Sequence, residues 1–308
     1  MDTLLIAGLD TVVGTNLAAR LSERYQTIGV CLHEAVSLDG CHSGQCREQD
    51  ENDIREWIES TRPAHVVYCG PAAVSTWDDG PIERPNVESV EIAGRWAGVA
   101  REYGARFTLV SSDAVFTGPW IFHDEESACV CISPQARATR RAEKLAAQQC
   151  PGALVVRTNV FGFSHGDGWI ERTIAELETG DSGPFDFQRH ATPILASDFA
   201  EILDRAWRAH LEGVYHISGT ERINPNQFIR KLADEFGLPS PEPVDGNRLL
   251  DCPRGWGCGE TSLHTTRIRK ALGIPMPTAT DGLIRLREQK LNGFGDSLKM
   301  PMVLEPAA

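Results

Sequence analysis

Apolar and polar positions alternate along the first half of the chain in a repeated strand–helix pattern. Short apolar runs predict buried strands at 3–7, 27–32, 65–69, 106–111 and 153–157. Between them, helical spacing predicts helices that include 86–103, stopped at Gly104, and 134–149. Residues 35–50 show no period and are predicted to form a loop. The alternation predicts a doubly wound α/β fold, in which helices cover both faces of a parallel Rossmann sheet.

The pattern loosens after Gly162, where an amphipathic helix around 199–207, a strand at 213–218 and a helix that ends at Gly237 are predicted. Residues 239–261 look irregular, and two short helices follow. The resulting division is a dinucleotide-binding domain and a smaller C-terminal substrate lobe. The ranges are 1–162 with 190–218 returning to the sheet, 163–189 plus 219–291 for the lobe, and 292–308 for a tail.

Charge and composition exclude several classes of function. The net charge of −13 over 308 residues disfavours nucleic acid and anionic membranes as partners. No apolar stretch is long enough to span a bilayer, and the N-terminus lacks a signal peptide, so a cytoplasmic protein is expected. The nine cysteines are predicted to be free thiols, and their spacing predicts no metal site.

The first strand runs into a glycine-flanked turn that precedes a helix. A dinucleotide site needs this layout, because glycines let the chain turn tightly and let a diphosphate approach the backbone at the helix N-terminus. Gly8 and Gly14 match the first and last glycines, whereas Thr11 replaces the middle one and Val12 opens the helix. We predict that these four residues bind the cofactor diphosphate. A Rossmann-like sheet that binds no dinucleotide is the alternative.

The end of the second strand should select the cofactor ribose. Glu34 is predicted to accept hydrogen bonds from ribose hydroxyls, which favours NAD, whereas His33 favours a 2′-phosphate. Gly70, after the third predicted strand, is also predicted to contact the cofactor. The choice between NAD and NADP stays open.

Several segments together resemble the extended short-chain dehydrogenase/reductases, most closely the dTDP-4-dehydrorhamnose reductase family. Residues 111–118 (SSDAVFTG) are similar to the family's Ser-Thr-Asp-Tyr-Val-Phe-x-Gly stretch, and 156–162 (VRTNVFG) to its Arg-x-x-Asn-Val-Tyr-Gly segment. Residues 191–200 (ATPILASDFA) and 213–219 (GVYHISG) also resemble family segments. The resemblance covers most of residues 3–290 and implies reduction of a 4-keto sugar on a nucleotide diphosphate by hydride from NAD or NADP.

The resemblance also implies catalytic positions, one of which has lost its residue type. Ser112 matches the hydroxyl that binds the ketone, and Lys144 looks like the lysine of the family's Lys-Leu-Ala segment. The proton-donating tyrosine would then stand at Arg140, and the 134–149 helix contains no tyrosine at all. An arginine cannot donate that proton near pH 7. His123, in the loop at 120–126, is a candidate replacement, and a surface histidine is the alternative interpretation.

The resemblance implies a contact between Asn159 and a substrate diphosphate, with capping of the strand end as the alternative, and Arg189 and His190 are candidates to meet the same diphosphate, although surface charges are the commoner case. Three functions stay open: a nucleotide-sugar reductase with a rearranged active site, a non-catalytic regulator, and a module that senses a nucleotide. The second is suggested by the family itself, which includes a regulatory subunit of methionine adenosyltransferase. A homodimer or a complex with a partner enzyme is compatible with each of them.

Overall fold

A computed structural model of the chain describes residues 1–78, 80, 83–180, 188–241 and 256–299. The strands within these residues are β1 (Thr3–Ala7), β2 (Gln26–Cys31), β3 (Cys41–Gln45), β4 (His65–Tyr68), β5 (Arg106–Ser112), β6 (Leu154–Thr158), β7 (Val160–Phe161), β8 (Ile194–Leu195) and β9 (Gly213–His216). Seven of them form one sheet in the order β3–β2–β1–β4–β5–β6–β9. Every pairing in it is parallel.

Helices cover both faces of this sheet. In the same residues they are α1 (Val12–Leu21), α2 (Glu51–Thr61), α3 (Val87–Glu102), α4 (Pro134–Gln149), α5 (Trp169–Thr179), α6 (Ala196–Arg208), α7 (Pro225–Phe236), α8 (Thr266–Leu272), α9 (Ala279–Leu291) and α10 (Phe294–Ser297). None of them is both long and apolar enough to cross a membrane. Within the same ranges, no group of three or more His, Cys, Asp or Glu side chains could hold a metal ion.

The strand period divides the core into two layers, one on each face of the sheet. Leu4 and Ile6 of β1 pack with α1 and α6, while Leu5 and Ala7 of the same strand pack with α2, α3 and α4. Successive side chains point to opposite faces, so a strand buried on both sides is apolar throughout. The predicted doubly wound parallel sheet is confirmed.

The main differences from the sequence prediction are β3 and α5, and the short helix α10 lies within the predicted tail. Part of the predicted 35–50 loop is β3, which pairs with β2 at the sheet edge and is polar because its side chains are mostly half-buried or exposed. The prediction also missed α5, although Trp169, Ile174 and Leu177 have helical spacing. Cys252 and the predicted irregular residues 242–255 lie outside the described residues, as do 181–187 and 300–308.

The ends of the central strands bring the candidate residues to one edge of the sheet. Parallel strands share one carboxyl edge, so the segments after β1, β2, β4 and β5 meet there. Helix α4 begins beside this edge at Ser133, whose side chain accepts a hydrogen bond from the amide of Ala136 at 3.1 Å. Pro134 occupies the first helical turn, where it costs no hydrogen bond.

The turn after β1 leaves no room for a side chain, and the loss of stability on adding one can be measured. A Cβ on Gly8, at φ +95°, would lie 2.2 Å from the carbonyl oxygen of Cys69. Gly104 also has a positive φ, +74°, but nothing lies within 4 Å of its Cβ position. We expect Gly8→Ala to lower the free energy of unfolding by about 2 kcal/mol more than Gly104→Ala, since over-packing adds to backbone strain. Urea unfolding checks this, and equal losses would contradict it.

Candidate dinucleotide and substrate site

Thr11 closes the glycine-flanked turn and caps α1. Its hydroxyl donates to the carbonyl oxygen of Gly8 at 2.8 Å and accepts from the amide of Gly14 at 3.0 Å. A Cβ on Gly14 would lie 2.0 Å from that same Gly8 oxygen, so this position also needs glycine. The first-turn amides of Val12 and Val13 have no intrahelical acceptor, and such amides at a helix N-terminus are suited to binding an anion. The turn therefore fits a diphosphate, with one amide already used by Thr11.

A carboxylate from the same turn reaches the end of β2. Asp10 accepts hydrogen bonds from the backbone amides of Leu32, His33 and Glu34 at 3.0, 2.8 and 3.2 Å. The Glu34 side chain is instead 79% exposed and lies 3.5 Å from Nε2 of His165. Sequence reasoning considered Glu34 and His33 at this strand end and did not identify Asp10, which lies inside the glycine-flanked turn.

The presence of glycine at position 70 can be explained by a neighbouring side chain as well as by a cofactor. A Cβ there would lie 2.4 Å from the ring of Tyr68, which is buried against Trp96. Tyr68, Gly70, Ser111 and Thr139 are among the residues around a cavity of only ≈ 10 Å³, which is room for about one water molecule. Tyr68 is thus a phenol close to the sheet edge. Burial raises its pKa well above the ordinary value, which opposes proton donation near pH 7.

The hydrogen bonds of Ser112 are local. Its hydroxyl accepts from the amide of Ala114 at 3.2 Å and donates to Asp113 at 3.3 Å. Asp113 is fully buried, which raises its pKa to about 6. Asn159 is 3% exposed. Its Oδ1 accepts a hydrogen bond from the hydroxyl of Ser75 at 2.8 Å, and its Nδ2 donates to Asp113 at 3.1 Å. The contacts of Asn159 favour a structural role over the predicted contact with a substrate diphosphate.

Helix α4 does not present the predicted catalytic pair to the sheet edge. Lys144 is exposed, whereas the buried positions of the helix include Ala136, Thr139 and Glu143. Arg140 is half-buried and donates to the carbonyl oxygen of Cys131 at 2.6 Å. The geometry therefore does not favour the predictions that Lys144 orients a nicotinamide ribose and that Arg140 holds an anion.

A buried ion pair joins α4 to the sheet. Arg157 on β6 donates from Nε and Nη2 to the two carboxylate oxygens of Glu143, at 2.9 and 2.8 Å. The hydroxyl of Ser111 donates to the same carboxylate at 2.6 Å. Two charges in a dry environment are stable only when they are paired and hydrogen-bonded, and here Nη1 of Arg157 is the one guanidinium nitrogen that has no hydrogen-bond partner among the described residues. This network, which sequence reasoning missed, fixes the distance between α4 and the end of β5.

His123 is buried rather than on the surface. Its ring is 3% exposed and stacks on Phe116, with ring centroids 4.4 Å apart. Burial lowers its pKa, which disfavours the imidazolium form that the predicted role as a general acid requires. Next to it, Trp120 and Ile121 are 73% and 57% exposed.

Residues 259–264, which we call the strap, connect the segment around His123 to the segment around His190. The strap exchanges backbone hydrogen bonds with His123 and with His190. Thr261 also donates from its hydroxyl to Asp113 at 2.7 Å. The side chain of Arg189 donates to the carbonyl oxygen of Thr76 at 3.0 Å. Arg189 and His190 therefore lie beside the strap, and their contact with a substrate stays a prediction.

A family model described as "RmlD substrate binding domain" matches residues 1–289. The chain belongs to this family. The resemblance to extended short-chain dehydrogenase/reductases and to dTDP-4-dehydrorhamnose reductases is thereby confirmed.

Known proteins similar to this family member fall into two groups. Methionine adenosyltransferase 2 subunit beta of Xenopus laevis is 24% identical over 223 residues, a match of 67% of this chain and 65% of that protein. The dTDP-4-dehydrorhamnose reductase of Bacillus anthracis, solved in complex with NADP, superposes with a TM-score of 0.75 at 16% identity. This superposition covers 94% of this chain and 99% of the reductase. The Bordetella bronchiseptica enzyme WbmG, solved with NAD, gives 0.75 at 16% identity, over 99% and 98% of the two chains. The two structural similarities establish the fold.

Removing one partner tests the buried ion pair of this family member. Glu143→Gln leaves Arg157 as an unpaired charge among side chains that are 7% exposed, so we expect unfolding to become easier by about 3–5 kcal/mol. The matched control is Glu51→Gln. It breaks an exposed pair with Arg55, in which the side chains are 51% and 33% accessible, and should cost under about 1 kcal/mol. Urea titrations at pH 7 measure both, and a small loss for Glu143→Gln would contradict the assignment.

Proposed function

We propose that the chain binds a nicotinamide dinucleotide in the family cleft without carrying out the family's reduction at an ordinary rate. The observation that carries the proposal is the buried face of α4, where Thr139 and Glu143 stand and neither a tyrosine nor Lys144 does. The turn at Gly8 and Gly14 supports dinucleotide binding. The similar structures that contain NADP and NAD support it too.

The absence of the tyrosine phenol determines how much slower the reduction is expected to be. In the family reaction, bound nicotinamide would supply a hydride, and a protein group must protonate the alkoxide that forms. Such general acid catalysis contributes about 10²–10⁴-fold. Tyr68 and His123 have pKa values shifted away from neutral pH by burial. Asp113, with a pKa of about 6, has its carboxylate held by Thr261 and Asn159.

Binding and turnover are separable by experiment. The purified chain is heated with NAD or NADP, and oxidation of NADH or NADPH is followed with a dTDP-4-keto sugar. We expect stabilisation that rises with dinucleotide concentration, to about 2.7 kcal/mol at one hundred times Kd, and no oxidation above background. Rapid oxidation that depends on the sugar would contradict the proposal, and so would the absence of any thermal shift.

Thr11 offers a matched pair of variants for the binding half of the proposal. Thr11→Gly removes the branched side chain that crowds the diphosphate, and we expect several-fold tighter dinucleotide binding. Thr11→Ser keeps the hydroxyl that accepts from the amide of Gly14 and loses only a methyl group. Its affinity for the dinucleotide should therefore lie between those of Thr11→Gly and wild type. Loss of the cap costs about 1 kcal/mol of stability, and Kd values are therefore compared by calorimetry well below the melting temperature. Unchanged affinity in both variants would show that Thr11 does not face the ligand.

A regulatory subunit is the second candidate, and an exposed apolar loop favours it. Trp120, Ile121 and Ile132 are 73%, 57% and 76% exposed on the segment before α4. Large exposed apolar side chains mark protein interfaces when they form one contiguous patch. The relatives named subunit beta of methionine adenosyltransferase 2 suggest that enzyme as the partner. Co-elution of the chain with the methionine adenosyltransferase of its own cell, lost in Trp120→Ser with Ile121→Ser, would support it. Separate elution would reject it.

A further inference from the structure

We infer that Asp10 makes the dinucleotide site selective for a ribose without a 2′-phosphate, so that the chain prefers NAD over NADP. The inference rests on the proposed dinucleotide binding and names a specificity residue within that site. It assigns to the turn after β1 a role that the sequence pattern gave to Glu34.

The first step is the position of the carboxylate. In a Rossmann site, the end of the second strand faces the adenosine ribose. The amides of Leu32, His33 and Glu34 follow this strand and converge on Asp10 over 2.8–3.2 Å. Successive amides of this kind form a concavity that binds anions. Here the chain's own carboxylate already occupies the group of amides that a 2′-phosphate would need.

The second step is the charge around this position. Two further carboxylates, those of Glu34 and Glu83, lie at the same edge, each 3.5 Å from a histidine. Each of these carboxylates faces an imidazole ring, that of His165 for Glu34 and that of His33 for Glu83. Arg47, from the neighbouring strand end, is bound by Asp53 at 2.8 Å. A phosphate dianion at this position would be repelled by the carboxylates of Asp10, Glu34 and Glu83.

The third step concerns the hydrogen-bond acceptor positions that remain on the Asp10 carboxylate. An ionised carboxylate has about four acceptor positions, and three amides use Asp10 in this structure. One position is left for a ribose hydroxyl, which donates to it. The same group thus accepts a 2′-hydroxyl and repels a 2′-phosphate.

The test is the ratio of Kd values for NADP and NAD, measured by calorimetry on the full chain. We expect wild type to bind NAD at least about tenfold more tightly, as expected for like charges at a half-exposed site. Asp10→Asn should reduce the ratio toward one, since an amide carries no charge. The control Asp39→Asn removes an exposed carboxylate of the following loop and should leave the ratio as in wild type. Glu34→Gln compares Asp10 with the residue that the sequence pattern favoured.

Two measurements on wild type keep the test independent of how the variants fold. The ratio should shrink at high salt, because salt screens a half-exposed charge. In addition, 5′-AMP should compete for the site better than 2′,5′-ADP, which carries the 2′-phosphate without a nicotinamide.

Each outcome has a distinct meaning. NADP bound as tightly as NAD by wild type, or an unchanged ratio in a folded Asp10→Asn, overturns the role of Asp10 and leaves dinucleotide binding intact. A ratio that changes only in Glu34→Gln returns the role to Glu34. If wild type binds neither dinucleotide, the proposed function fails and the inference falls with it.

Discussion

The close approach of the chain to itself at Gly8 is the constraint on which the site depends. The amide of Gly8 donates to Val30 of β2 at 2.8 Å, and its α-carbon faces the backbone of Cys69 after β4. Gly14 then packs against Gly8 itself. No side chain fits at either position, so the turn has one conformation. That conformation sets the direction of α1, the aim of its first-turn amides, and the reach of Asp10 to the end of β2.

The fold could be predicted from the sequence wherever burial imposes a period. Strands such as β1 are buried on both faces and read as apolar runs, and α4 has its start marked by Ser133 and Pro134. The edge strand β3 carries no such signal, because one neighbour and partial exposure leave its side chains free to be polar. β3 is stabilised by its pairing with β2, and such pairing leaves no pattern in the sequence of a single strand.

The candidate site was harder to predict, because its side chains are positioned by distant segments. The turn at Gly8 and Gly14 is local and was found. Glu143 was not singled out from the sequence, and only the fold shows its ion pair with Arg157 on β6. His123 was placed in a loop, yet packing on Phe116 buries it. Family resemblance located the segments, but it did not show which side of α4 faces the sheet.

The strap has a consequence for the order in which the fold is assembled. Its hydrogen bonds join residues far apart in sequence, since Thr261 contacts Asp113 across 148 positions and the ring of His123 approaches Glu260 across 137. Contacts of such separation form late, because the intervening loop must close first. During synthesis the sheet strands up to β9 can therefore pair before the strap joins His123 to His190. The strap is followed by α8 and α9, whose Ile268, Leu283 and Leu286 belong to the core on one face of the sheet, so this face is completed only when the last part of the chain has been made.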